Sequence, residues 1–362
     1  MGYSIRKEVL GLNMYQAGKP ISEVKREFGL DQVIKLASNE NPLGCSPKVK
    51  KVLMETIEET QLYPDASNFE LKEVIAKELR VKHSEIFCGA GSDLLIRVIC
   101  SIFIKPGDES VMAEITFPRY RESVKLMGGI PVVIPMKNNS LDIEEMVNSI
   151  TDKTNIVWLC NPNNPTGTIF TGTELEKILP RIPKHVMIIM DEAYIEYVTD
   201  KEYPDSIGLL KQYPNMIILR TFSKAYGLAS LRCGYGIAEE DMVRYFNTVI
   251  GPFDVNLFAQ KAASAAMKDK EFLKLVYETN IEGRDYLYKS FEKLGMPYIK
   301  TNANFIMVNT KLDDKEIFSG LIKRGIIIRP GYLLGMPGFM RVSIGNMYEN
   351  KKFIEELSEI VK

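Results

Sequence analysis

Met216-Ile217-Ile218-Leu219-Arg220-Thr221-Phe222-Ser223-Lys224-Ala225-Tyr226-Gly227-Leu228-Ala229-Ser230-Leu231-Arg232 joins a short apolar run to a polar turn carrying one lysine. The run Met216-Ile217-Ile218-Leu219 is continuously apolar, which suits a strand buried on both faces. Lys224 follows it between a hydroxyl and a small residue, with Arg232 eight positions on. A lysine just past a buried strand is badly placed for ordinary solvation. It is well placed to form a Schiff base, with Ser223 and Arg232 gripping a phosphate beside it. Read alone, a solvated loop lysine is an equal alternative. The rest of the chain decides.

Similar apolar runs recur upstream at residues 110–113, 131–134, 155–159 and 186–190. Stretches such as 93–104 and 173–179 between them read as covering helices. A spacing of about 30 residues is that of βαβ units, so an α/β fold with a mostly parallel central sheet is expected. From about residue 255 the pattern changes. Residues 256–293 read as one long helix or two, followed by a strand at 304–308, a helix at 315–324, strands at 326–329 and 340–344, and a helix at 350–361. That second part reads as a smaller α+β unit.

Composition narrows the function. The 362 residues carry 46 basic and 47 acidic side chains, interspersed, for a net charge of −1. No basic stripe points to nucleic acid and no apolar run reaches membrane-spanning length. Five cysteines without CxxC spacing predict reduced thiols and a cytoplasmic protein. Only two histidines occur, His83 and His185, far apart. They argue against a Ser-His-Asp triad and a His-rich metal site, so no metal is expected. Proton chemistry must run through Lys, Asp, Tyr or a cofactor.

Three polar clusters directly follow three of the proposed strands: Asn161-Pro162-Asn163-Asn164-Pro165-Thr166-Gly167, Asp191-Glu192-Ala193-Tyr194, and Thr221-Phe222-Ser223-Lys224. Ligands of open α/β sheets bind outside the carboxyl ends of strands, so these clusters should converge. Individually they are ordinary, a Pro-Thr-Gly turn or an Asp helix cap. A fourth, Gly89-Ala90-Gly91-Ser92-Asp93, precedes a helical stretch. Ser92 or Asp93 could cap that helix, and its free N–H groups would form an anion site.

These segments resemble the pyridoxal-phosphate aminotransferases of fold type I, and among them the histidinol-phosphate aminotransferases. The resemblance runs through Ala37-Ser38-Asn39-Glu40-Asn41-Pro42-Leu43-Gly44, Tyr63-Pro64-Asp65, Thr116-Phe117-Pro118-Arg119-Tyr120, the three clusters above, and Arg341-Val342-Ser343-Ile344-Gly345. It implies a large cofactor-binding domain over residues 40–250 and a smaller one built from residues 1–39 and 251–362. It also implies roles. Lys224 would carry pyridoxal 5'-phosphate as a Schiff base and shuttle the substrate proton, with Asp191 pairing the pyridinium nitrogen. Asn164 and Tyr194 would hydrogen-bond the ring oxygen, and Phe117, rather than Tyr120, would stack on the ring. Ser92, Asp93, Ser223 and Arg232 would hold the phosphate. Tyr63 would reach into a partner's site, implying a homodimer. Arg341 would pair with an α-carboxylate, while Arg329 and Tyr15 would meet a substrate phosphate; Asn41 belongs to the same implied substrate-binding set.

The implied reaction exchanges an amino group between L-histidinol phosphate and 2-oxoglutarate. An aromatic-amino-acid aminotransferase is the nearest alternative, followed by a threonine-phosphate decarboxylase and then by a cofactor-binding sensor domain of a transcription factor. Leu94, Ser230, Asn346 and Cys45 depart from the usual pattern, and none removes a reacting group.

Overall fold

The computed structural model describes residues 4–12 and 18–361. Its main sheet has seven strands in the spatial order Ile86–Gly89, Gly234–Ile237, Met216–Thr221, Met187–Asp191, Thr154–Cys160, Glu109–Ala113, Ile130–Ile134. Gly234–Ile237 is antiparallel to both its neighbours, and every other pairing is parallel. Six strands therefore point one way and one is reversed.

The continuous apolar runs are explained by burial on two faces. Val157, Leu159, Ile188, Met190, Met216 and Ile218 face one core, while Ile156, Trp158, Met187, Ile189, Ile217 and Leu219 face the other. Helices Ser92–Phe103, Arg119–Leu126 and Glu240–Val249 supply apolar residues to the second core. Each fully buried aliphatic side chain stabilises by roughly 1.5–3 kcal/mol, which is why strands without a polar face are favourable here.

The five proposed strands of this sheet are present, each within a residue or two of its expected limits. Two others, Ile86–Gly89 and Gly234–Ile237, carry glycines that weaken a strand signal. Both glycines of the second are packing requirements. A Cβ on Gly236 would lie 2.1 Å from the Phe87 ring, and one on Gly234 would lie 2.5 Å from the Ser92 amide nitrogen.

The stretch 256–293 is two helices, Leu257–Lys268 and Lys270–Lys293, broken at Asp269. Asp269 accepts hydrogen bonds from Ser46 Oγ at 2.6 Å and Lys48 Nζ at 3.0 Å. The first helix, expected in the smaller unit, packs on Pro47–Thr56 and Phe69–Leu79. It adds Ala259, Ala262, Ala263 and Ala266 to a core beneath the main sheet. Its small side chains allow that close approach.

The remaining strands form two small sheets. Phe339–Ser343 lies between Phe305–Asn309 and Arg329–Pro330, antiparallel to both. Ile34–Lys35 pairs in parallel with Ile326–Ile327, which ties the N-terminal segment to this part of the chain. Among the described residues no helix is long and apolar enough to cross a membrane.

Ile189 is fully buried in the Met187–Asp191 strand that carries Asp191. Ile189→Ala is expected to lower stability by about 2–5 kcal/mol, read as a shift of the denaturant midpoint. A loss below 0.5 kcal/mol would contradict this account of the core.

Candidate active site

A cavity of about 970 Å³ opens where the carboxyl ends of the main-sheet strands meet the small sheets. Strand direction builds it. Thr154–Cys160, Met187–Asp191 and Met216–Thr221 all end at this rim and deliver Asn164, Asp191 and Lys224 to one wall. The reversed strand Gly234–Ile237 begins where the others end, so Arg232, two residues before it, arrives at the same rim.

Asp191 closes the floor. Its Oδ2 accepts the Tyr120 hydroxyl at 2.6 Å and its Oδ1 accepts the Ala193 N–H at 3.2 Å. Burial pushes its carboxyl up to about 6, opposed chiefly by the Tyr120 hydrogen bond. Beside it, Asn164 donates to the Tyr194 hydroxyl at 3.3 Å and accepts from Arg341 Nη1 at 2.6 Å. Asn39 also donates to that hydroxyl at 3.0 Å. Burial raises the Tyr194 phenol to about 12, with Arg341 opposing.

Lys224 is half-buried, donates to the Ser38 carbonyl at 2.9 Å, and has its Nζ 5.7 Å from the Tyr194 ring centroid. Burial lowers its ammonium to about 7; Arg341 and Arg232 add to the shift and Glu40 opposes it. A lysine poised near neutrality is a nucleophile rather than a solvated charge.

The helix Ser92–Phe103 begins at this cavity. Neither Ser92 nor Asp93 caps it, because Gly91 occupies the cap position with φ +82° and no side chain bonds the first turn. Asp93 instead accepts from Arg119 Nε at 2.6 Å. Arg232 covers the uncapped end: a Cβ on Gly91 would come within 2.6 Å of its Nη2, and its Nη1 lies 3.4 Å from Ser223 Oγ. Free helix N–H groups, a hydroxyl and a guanidinium form an anion cradle.

Opposite the floor, Arg329 and Arg341 are directly paired across two antiparallel strands, and both buried side chains line the cavity. Arg341 donates to the Ala37 carbonyl at 2.7 Å and lies 5.3 Å from the Phe305 ring centroid. Phe117 lines the wall, with Tyr120 edge-on to it at 5.7 Å. Tyr120 is fully buried against Trp158, so Phe117 is the ring that meets the cavity.

The structure thus gathers Ser92, Asp93, Phe117, Asn164, Asp191, Tyr194, Ser223, Lys224, Arg232, Arg329 and Arg341 around one space. Asn41 lies elsewhere, and Tyr63, expected at a partner's cavity, does not line this one. Asn41 is buried off the cavity and donates to the Ala225 carbonyl at 2.8 Å, so it steadies the lysine turn. Tyr63 is 82% exposed and stacks on Phe253 at 4.7 Å. Tyr15 lies outside the described residues. Sequence reading gave no role to Asn39, which takes φ +57° and bonds Tyr194, Ser343 and Asn304. An Asn before a conformationally tight Glu-Asn-Pro segment was the available signal.

The chain belongs to the class I and II aminotransferases, whose family model matches residues 31–357. It is 49% identical to the histidinol-phosphate aminotransferase of Caldicellulosiruptor saccharolyticus, covering 98% of this chain and 99% of that one. It is 46% identical to the histidinol-phosphate aminotransferase of Brevibacillus brevis, covering 98% of each. A crystal structure of histidinol-phosphate aminotransferase from Sinorhizobium meliloti in complex with pyridoxal-5'-phosphate superposes with a TM-score of 0.90 at 25% identity, covering 99% of this chain and 97% of that one.

With a pKa near 7, about three quarters of the Lys224 amine is uncharged at pH 7.5, against roughly one in a thousand for an ordinary lysine. Limiting amine-reactive reagent at pH 7.5 is expected to label Lys224 ahead of other lysines, with an inflection near pH 7. An inflection near 10 by peptide mass spectrometry would refute the lowered pKa.

Proposed function

We propose that this chain exchanges an amino group between L-histidinol phosphate and 2-oxoglutarate, using pyridoxal 5'-phosphate held in the cavity. The observation that carries the substrate reading is the buried pair Arg329 and Arg341, adjacent across one strand pair. Two neighbouring guanidinium groups suit substrates with two negative charges to distribute. 2-Oxoglutarate and glutamate bring two carboxylates, and histidinol phosphate brings a phosphate dianion. An aromatic amino acid brings one carboxylate and meets one arginine only.

The residues present fit the cofactor. The Gly91 cradle has no room for a Cβ beneath Arg232, Asp191 is a buried carboxylate, and Lys224 is an amine poised near neutral pH. The phosphate would sit on the first-turn amides at Ser92 and Asp93 with Ser223 and Arg232. The ring nitrogen would meet Asp191, the ring oxygen would meet Asn164 and Tyr194, and Phe117 would cover a face. Once bound, pyridoxal phosphate supplies an electron-withdrawing ring that takes up the electron pair left when a substrate carbon loses its proton.

The chain's own groups do the rest. Lys224, uncharged in a large fraction at neutral pH, would hold the cofactor covalently and, when released by the incoming amine, take the proton from the substrate carbon and return it. Asn164 links the two ends of the site, since its carbonyl accepts from Arg341 while its amide donates to Tyr194. Substrate docking on Arg341 is therefore felt at the ring-oxygen partner. The Ser38 carbonyl fixes the lysine between these groups.

Two copies are part of the reading. Tyr63, Leu62, Phe69 and Phe253 expose apolar surface together with Met54 and Ile57, a composition suited to burial against a second subunit. In a homodimer Tyr63 would enter the partner's cavity. The division into a cofactor-binding unit over residues 40–250 and a smaller unit from 1–39 and 251–362 belongs to the same reading, with helix Leu257–Lys268 packed on the larger. All five cysteines are free and four are buried, which fits a reducing cytoplasm.

Purified protein with pyridoxal phosphate is expected to acquire a visible absorption band, and borohydride should fix the pyridoxyl group on Lys224. Turnover of histidinol phosphate with 2-oxoglutarate should exceed that of phenylalanine by at least tenfold in kcat/KM; the reverse order would transfer the assignment to the aromatic enzymes. For the dimer, Lys224→Ala and Tyr63→Ala proteins are each expected to be impaired. Refolding them together should restore up to about a quarter of wild-type activity through hybrids with one intact site. No recovery would remove Tyr63 from a shared site.

A further inference from the structure

We propose that Tyr120 is a positioning residue that keeps the Asp191 carboxyl ionised and aimed into the cavity, so that it meets the cofactor's ring nitrogen as an anion. This rests on the pyridoxal-phosphate reading above and adds a residue to it.

Asp191 ends a strand buried on both faces, and its carboxyl is out of water. A carboxylate in such a place tends to take up a proton and lose the charge a pyridinium needs. Its two oxygens have separate donors. Oδ1 has the Ala193 amide at 3.2 Å, a long bond within the same turn, and Oδ2 has the Tyr120 hydroxyl at 2.6 Å. The second has the length of a charge-assisted O–H···O⁻ bond, the stronger kind.

Tyr120 cannot readily swing away. It is fully buried, its ring stacks on Trp158 at 4.5 Å and 12°, and Phe117 packs edge-on at 5.7 Å. Trp158 is anchored in turn, its Nε1 donating to Ser110 Oγ at 2.9 Å. The hydroxyl is thus held by a stack that spans the helix Arg119–Leu126 and the strand Thr154–Cys160.

The other groups facing Asp191 do not do this work. Burial pushes the Cys160 thiol and the Tyr194 phenol up to about 12, so both are neutral at working pH. Glu192, paired with Arg220 at 2.8 Å, opposes the ionisation of Asp191. Burial and the charge of Asp191 raise the Tyr120 phenol well above its ordinary value, so it remains a donor. Of the influences that favour the Asp191 anion, the Tyr120 bond is the largest.

Tyr120→Phe keeps the ring and its stack and removes one oxygen. In the ligand-free protein, the Asp191 carboxyl followed by carbon-13 NMR is expected to titrate about one pH unit or more higher in Tyr120→Phe than in wild type. Tyr120→Phe should also weaken binding of pyridoxal phosphate about tenfold, the scale of one hydrogen bond to a charged group. In an Asp191→Asn background the same change should cost less than twofold, because the residue acts through Asp191. An unmoved Asp191 midpoint, or an equal loss in the Asp191→Asn background, overturns the proposal. The titration needs no cofactor, so it decides the role of Tyr120 separately. Failure of the wild-type protein to bind pyridoxal phosphate would instead overturn the proposed function.

Discussion

Strand direction is the constraint on which this molecule depends. Six strands of the main sheet share one direction, so the loops that follow their carboxyl ends must gather at one edge. Asn164, Asp191 and Lys224 come from well-separated parts of the sequence and need no special folding to meet. The one reversed strand completes the set. Because Gly234–Ile237 runs backwards, its beginning lies at the reactive edge, and Arg232 reaches the anion cradle from a connection that would otherwise lead away. The same strand crowds the helix at Ser92 so closely that residue 234 has to be glycine.

Charge placement then sets reactivity. Arg121, Arg232, Arg329 and Arg341 line the cavity with Lys224. Burial, followed by Arg341 and Arg232, draws the lysine towards neutrality, with Glu40 the opposing charge. Guanidinium groups at the helix end and across the small sheet favour phosphates and carboxylates at those two places. The arginines are kept from wandering by backbone carbonyls and aromatic faces: Ala229 and Ala37 accept from Arg232 and Arg341, and Phe305 lies against Arg341.

Much of this was legible in the sequence because the pattern is repetitive. A continuously apolar run followed at once by a polar cluster, three times over, fixes both the sheet and the edge. The antiparallel pair Ile86–Gly89 and Gly234–Ile237 was not legible, since the glycines of its second strand answer to the Phe87 ring and the Ser92 amide, contacts that local composition does not express. The helix cap failed for a related reason. Ser92 and Asp93 have capping side chains, but the turn needs φ +82°, which places Gly91 at the cap and leaves Asp93 to Arg119. Asn41 sits in a motif shared with cavity residues yet turns to the Ala225 carbonyl, because side-chain direction within a motif depends on backbone turns that spacing does not reveal.

The two central ionisable groups are each held away from their ordinary behaviour, and their costs add. The unfolded chain binds the Lys224 proton up to about pH 10.5, whereas the folded state releases it near 7. Lys224 therefore disfavours the ligand-free fold fully below 7, and this penalty fades as pH rises from 7 to 10.5. Asp191 acts in the opposite direction: its folded value lies near 6 against 3.8 unfolded, so its penalty is absent in strong acid and grows as pH rises through that window. At neutral pH both penalties are present. A ligand that neutralises the amine by bonding to it, offers a cationic nitrogen to the carboxylate and brings a phosphate to Arg232 relieves both at once. Binding energy of that kind is returned as stability of the fold. A ligand that meets all three demands would therefore also stabilise the fold.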